Sequence, residues 1–119
     1  RWASWYDDAL ADIPWLKRPT VPARHLHSWQ SYVCMVDESH APLSRNDLMR
    51  HLHDAGVATR PGTHAVVALG YYCEKAGIRP EDYPVAMECE RLSLAIPLHN
   101  RMGTADYRYV IDVLRGAGR

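Results

Sequence analysis

The sequence predicts a small α+β domain, a three-stranded sheet with helices packed on it. Three observations carry that reading. A capped amphipathic helix is written over residues 44–55. Short apolar runs at Gln30–Val36 and Leu94–Leu98 have strand length and sit between turn signals. A second amphipathic helix opens at Thr104 and closes at Gly116. At 119 residues the chain is long enough for one real core.

Taken in order, Trp2, Trp5, Tyr6, Ala9, Leu10 and Ile13 recur at helical spacing, and Pro14 ends that helix. So wide an aromatic stripe can serve this domain's own core or a contact with a further domain. Large apolar exposure is expected at Trp2 and Trp5. Residues 15–24, with Pro19 and Pro22, read as an extended connector. Gln30–Val36 is apolar on both faces, as a buried strand is.

Ser44 and Asp47 have capping-box spacing, Leu48, Met49, Leu52 and Ala55 form the buried stripe, and Gly56 supplies the left-handed stop. Val57–Arg60 reads as a second strand. Pro61–Tyr83 reads as irregular, with one turn near Leu69–Glu74. A loop of that length inside a compact domain is often functional. Pro84 opens a helix whose inner face is Val85, Cys89 and Leu92. Leu94–Leu98 is the third strand. The last helix is capped by Thr104 and buries Tyr107, Val110, Ile111 and Leu114.

Composition excludes several classes. Formal net charge is zero, which gives no basic footprint for nucleic acid or an anionic membrane. No apolar run approaches the roughly 20 residues of a membrane span, and no signal-peptide pattern is visible. Cys34, Cys73 and Cys89 are odd in number and lack CxxC spacing, so they read as reduced thiols of a cytoplasmic protein. The chain opens on Arg1-Trp2 inside a helical pattern, which reads as a cut through a longer protein.

Candidate chemistry concentrates at one end of the sheet. His25 and His27 are two apart on an extended segment but lack the further ligands a metal site needs. His51 and His53 sit at i, i+2 on a helix and read as solvated. There is no phosphate loop. Lys17 and Lys75 are the only lysines, and neither has surroundings that would desolvate an amine for Schiff-base chemistry. Trp29 and Gln30 lead into the first strand. Arg60 ends the second and is followed by Pro-Gly-Thr-His64. If those strands are antiparallel, Trp29 and Arg60 share one edge. Arg60 can bind a phosphate or carboxylate through its planar fork, or form a surface ion pair. His64 can bind a sugar or phosphate, or cap backbone.

Several blocks together resemble the C-terminal small domain of the DegT/DnrJ/EryC1/StrS family of sugar aminotransferases. They are His27-x-Trp29 before the strand, Arg45-x-Asp-Leu-Met, Gly56-Val-x-Thr-Arg60-Pro, Gly70-Tyr-Tyr72, Glu90-Arg-Leu, Leu94-Ala-Ile-Pro-Leu98 and Thr104 opening a final helix. The resemblance spans nearly the whole chain.

It implies the small domain, residues 1–119, of a fold type I enzyme dependent on pyridoxal 5'-phosphate (PLP). The cofactor and its lysine would belong to a large domain absent from this chain, so the chain alone is expected to be inactive. The implied reaction moves an amino group from glutamate or glutamine to a nucleotide-linked keto sugar, in a cytoplasmic homodimer, with the cofactor as electron sink. By the same resemblance Trp29, Gln30, Arg60 and His64 line the substrate side of the cleft, and no catalytic residue lies in this chain. Two positions depart from the family pattern, Gly62 and Val67, where histidines are common; His64 can partly replace them. Relatives of this kind also include sugar dehydratases, whose deciding residue lies outside this chain. A reading from another class is a non-catalytic interaction module that uses the Trp2–Trp5 face.

Overall fold

The computed structural model describes residues 1–119. Five α-helices surround one antiparallel sheet. The helices are α1 (Trp2–Ala9), α2 (Arg45–Asp54), α3 (Gly70–Ala76), α4 (Pro84–Leu92) and α5 (Thr104–Gly116). The strands are β1 (Leu16–Lys17), β2 (Tyr32–Val36) and β3 (Ser93–Ile96), in the order β1-β2-β3. No helix is long and apolar enough to cross a membrane.

The α+β class and the three strands agree with the sequence reading, but one strand is a different segment. Val57–Arg60 is not a strand. Only Arg60 pairs, as a single antiparallel bridge to Ala95. Extending that bridge toward Ala58 would call on the backbone N–H of residue 97, and Pro97 has none. The third strand is instead Leu16–Lys17, inside the expected connector, with Leu16 opposite Val36 and Lys17 opposite Met35. Two residues between prolines are too few to show a period of two.

The second correction concerns direction. Arg60 lies beside β3, not β2, and both β2 and the Arg60 bridge run antiparallel to β3. The Arg60 segment therefore runs parallel to β2. Residues just before Arg60 and residues at the start of β2 consequently meet at the same end of the sheet.

The core is a single cluster in which Tyr6, Leu10, Tyr32, Cys34, Leu48, Leu52, Leu94, Tyr107 and Leu114 are sealed from solvent. Burial pushes the Cys34 thiol up to about 12, with the nearby Asp7 charge adding to it, so it stays a neutral apolar group. Strand β2 buries Tyr32, Cys34 and Val36 and half-buries the residues between them.

The aromatic stripe of α1 is used by this core. Trp2 stacks on Tyr107 with centroids 4.3 Å apart at 18°, and Trp5 meets the same ring edge-on at 6.1 Å. Both tryptophans are half-buried, so the large exposure expected for them is not found. Most exposed large apolar side chains lie on and around α3 and α4, at Val66, Leu69, Tyr71, Tyr72, Tyr83 and Val85, with Val21, Leu26 and Tyr109 elsewhere.

Helix α1 stops at Ala9, well short of the Pro14 expected to end it, while the ends of α2 and α5 follow the sequence with small shifts. Ser44 Oγ accepts from the Asp47 N–H at 3.2 Å and donates to Asp47 Oδ2 at 2.6 Å. Asp47 thus closes the box on the hydroxyl rather than on the backbone. Gly56 takes φ 76°, the left-handed stop. The α5 cap is Gly103, not Thr104, and its N–H donates to Asp106 Oδ2 at 2.8 Å. Gly116 is the last helical residue rather than the stop beyond it. On α4 Leu92 is buried and Cys89 half-buried, but Val85, in the exposed first turn, is 71% exposed and not part of the inner face. His51, expected in solvent, is half-buried with Nε2 3.3 Å from the Val113 carbonyl of α5.

Candidate functional site at the end of the sheet

A groove of about 220 Å³ opens where β2 begins and β3 ends. Its walls are Gln30 and Ser31 from the approach to β2, Thr59 and Arg60, and the Ile96–Leu98 segment. The fold explains the convergence. Tyr32 pairs with Ile96 and Arg60 with Ala95, so the residues preceding Tyr32 and Arg60 flank the chain leaving β3.

Arg60 is held by its backbone while its side chain is free. Its N–H donates to the Ala95 carbonyl at 3.3 Å, and its carbonyl accepts from the Ala95 N–H at 2.8 Å. Arg60 is exposed, and none of the seven ion pairs of the chain involves it. A guanidinium with no internal carboxylate is available to an anionic ligand. Gln30 is likewise exposed, beside it in the groove.

Trp29 faces a neighbouring cleft of about 250 Å³, with Trp2, Tyr107 and Asn100; Leu98 lines both hollows. Trp29 has φ 53°, a left-handed conformation that costs a residue with a Cβ roughly 1–2 kcal/mol. Two contacts offset that cost. Its N–H donates to His27 Nδ1 at 2.8 Å, and its ring stacks on Tyr32 with centroids 5.7 Å apart at 19°. His27 lies 4.2 Å from the same indole. This role for His27 as an acceptor replaces any pairing with His25, whose Nδ1 is 3.1 Å from the Ala23 carbonyl.

His64 lines neither hollow and is exposed. The structure thus brings Gln30 and Arg60 together, puts Trp29 next door, and leaves His64 on the loop beyond. Sequence reasoning missed the Ile96–Leu98 wall. It also missed Ser93 and Glu90, which bind the loop carrying Arg60 and His64. Ser93 left a signal, a lone hydroxyl in an otherwise apolar strand. Glu90 stands in the Glu90-Arg-Leu block, but nothing local marks its carboxylate as an acceptor for the loop.

The lysines do not form a cofactor pocket. Lys17 is 66% exposed and 3.5 Å from Asp37, and Lys75 is exposed, 5.9 Å from the centre of the Tyr71 ring. Neither amine is desolvated, so the residues present do not fit a Schiff-base site for PLP. No group of three or more His, Cys, Asp or Glu side chains is placed to hold a metal ion.

The chain is thus a small α+β domain with a groove at the end of its sheet. Comparison with known proteins gives the family. The DegT/DnrJ/EryC1/StrS aminotransferase family matches residues 1–115. The spore coat polysaccharide biosynthesis protein SpsC of Bacillus subtilis (strain 168) is 32% identical over 111 residues, covering 92% of this chain and 28% of that protein. Among solved structures, the aminotransferase TlmJ from Streptoalloteichus hindustanus is 27% identical with a TM-score of 0.79, covering 96% of this chain and 29% of that one. Spr1654 from Streptococcus pneumoniae, in its apo form, is 21% identical with a TM-score of 0.82, covering 97% of this chain and 28% of that one; its PLP and PMP forms also match. The chain belongs to the DegT/DnrJ/EryC1/StrS aminotransferase family. It spans 28% of the length of SpsC, a curated relative that it matches.

Proposed function

We propose that residues 1–119 are the C-terminal small domain of a PLP-dependent sugar aminotransferase with a fold type I large domain. The groove at the sheet end forms part of its substrate side. Arg60 binds a phosphate of a nucleotide-linked keto sugar, Gln30 hydrogen-bonds beside it, and Trp29 and His64 flank the site. The large domain supplies PLP and the reactive lysine, and glutamate or glutamine is the amino donor. The enzyme works as a cytoplasmic homodimer.

The observation that carries this reading is the unpaired Arg60 guanidinium beside Gln30 in a groove whose position the sheet fixes. Family membership and the name of SpsC, a polysaccharide biosynthesis protein, support a sugar substrate. The two lysines, both exposed, support a cofactor site outside this chain.

The test is an amino-transfer assay on the protein at its full natural length, with nucleotide-linked keto sugars as acceptors and glutamate or glutamine as donor. Turnover that needs added PLP, and a KM for the nucleotide sugar that rises in Arg60→Ala, are expected. Turnover of free keto sugars as efficient as that of their nucleotide-linked forms would remove the phosphate role.

A further inference from the structure

We infer that Ser93 and Glu90 are positioning residues for Arg60, acting by clamping the irregular segment from Arg60 to Ala65 onto the α4–β3 edge. The inference rests on the reading of Arg60 as a substrate-binding group. Residues 61–65 form no helix or strand, yet their backbone is held at several points. Arg60 exchanges two hydrogen bonds with Ala95. The Thr63 N–H donates to Ser93 Oγ at 3.1 Å. The Ala65 N–H donates to Glu90 Oε2 at 2.9 Å. The last two acceptors are side chains, so the clamp depends on residue identity and not on a sheet ladder that any residues could supply.

The surroundings make the clamp specific. Ser93 is 2% exposed, and its own carbonyl accepts from the Arg45 guanidinium at 3.0 Å. Arg45 is itself buried, so the strand that presents the Ser93 hydroxyl is tied to α2 from beneath. Between the anchors at Arg60 and Thr63, Gly62 lies close against the sheet. A Cβ there would stand 2.3 Å from Val33 Cγ1 and 2.8 Å from Ser93 Cβ. The segment therefore cannot lift at Thr63 without losing a buried acceptor's partner, nor slide without driving a side chain into β2. Arg60 lies at the head of this clamped stretch, with Pro61 stiffening the link. A guanidinium on a fixed backbone pays less ordering entropy when it binds an anion.

The experiment uses the protein at its full natural length and has two readouts. Amide hydrogen exchange reads the clamp directly. Ser93→Ala should speed exchange at Thr63, and Glu90→Ala at Ala65, each roughly 10-fold, as expected for one lost hydrogen bond. Glu90→Gln, whose amide oxygen still accepts, should stay near wild type. Steady-state kinetics read the consequence. Ser93→Ala and Glu90→Ala should each raise KM for the nucleotide sugar about 3- to 10-fold with little change in kcat. In an Arg60→Ala background the same substitutions should add nothing, since they act through Arg60.

Unchanged exchange in both alanine variants, or equal KM increases with and without Arg60, would overturn the positioning role. An unchanged KM in Arg60→Ala alone would instead remove the substrate-binding reading of Arg60. In that case a KM rise in Ser93→Ala would show that it does not act through Arg60, and the inference would fall as well.

Discussion

The Tyr32 hydroxyl donates to Asp7 Oδ1 at 2.5 Å, tying the first residue of β2 to α1. Tyr32 is fully buried, its ring 5.1 Å from Tyr6 and stacked beneath Trp29. The backbone carbonyl of Asp7 also accepts from Arg18. Two hydrogen bonds at Asp7 therefore join α1, the β1 end and the aromatic base on which the candidate cleft rests. Tyr32→Phe should lose about 1.5–3 kcal/mol of stability, the usual range for a hydrogen bond to a charged group. Urea unfolding would measure it. A midpoint unchanged within error would mean that water replaces the phenol at no cost.

Stability should also fall on the alkaline side. Burial raises the Tyr6, Tyr32 and Tyr107 phenols above their ordinary value of 10.0; the hydrogen bond to Asp7 raises Tyr32 further. Burial raises the Cys34 thiol from 9.0 to about 12. Groups whose pKa is higher folded than unfolded favour the folded state below their unfolded pKa. That contribution is lost as pH rises through the folded value. The stability curve should therefore be insensitive to these groups below about pH 9 and decline between about pH 9 and 12. Unfolding followed by circular dichroism across that range would show it. A flat curve would mean that these groups titrate alike in both states.

Gly62 is required by space rather than by a turn. Its Cβ position is already filled by Val33 Cγ1 and Ser93 Cβ, at 2.3 and 2.8 Å. Gly62→Ala should destabilise by roughly 1–3 kcal/mol, the usual cost of overpacking. Trimming the neighbour should return part of that loss. Val33→Ala combined with Gly62→Ala is expected to be more stable than the sum of the two single losses, and a thermal-melt cycle would read the coupling. Strict additivity would mean that the loop moves aside instead.

Much of the fold was legible because local signals and tertiary structure agree. The Ser44 cap, the Gly56 stop and the buried stripe at Leu48 and Leu52 all appear where the sequence places them. The failures have identifiable physical causes. Strand β1 is a two-residue pairing defined entirely by its partner β2, and no local pattern encodes it. Val57 to Arg60 has strand-like composition, but the prolines at 61 and 97 restrict it to one bridge. At the candidate site the exposed polar residues Gln30 and Arg60 could be named from type and place in the chain. Their supports were harder to read: Ser93 shows only as a lone hydroxyl in an apolar strand, and Ser93 and Glu90 meet the loop across 30 and 25 positions.

Neither lysine should carry PLP. Lys17 is exposed and paired with Asp37, and Lys75 is exposed beside Tyr71, so both amines keep their hydration and neither sits in a pocket that would desolvate it. Incubation of the 119-residue chain with PLP, borohydride reduction and peptide mass spectrometry should give no stoichiometric adduct at either position. A stable adduct at Lys17 or Lys75 would place reactive amine chemistry within this chain.

Arg60 is the most direct test of the proposed substrate side. Its backbone is fixed by both hydrogen bonds to Ala95, and its guanidinium has no internal ion pair. A group arranged in this way contributes to ground-state and transition-state binding alike when the anion it holds is remote from the reacting carbon. Arg60→Ala should therefore raise KM for the nucleotide sugar more than it lowers kcat. Loss of a charged hydrogen bond costs about 1.5–3 kcal/mol, which corresponds to a rise of about 10- to 150-fold. Arg60→Lys should recover only part of it, since an ammonium keeps the charge but not the planar fork. Gln30→Ala, which removes a neutral partner, should cost less, about 2- to 10-fold. Steady-state kinetics on the full-length protein would rank the three variants. If Arg60→Ala binds the nucleotide sugar as wild type does, the groove is a surface feature and the substrate lies elsewhere.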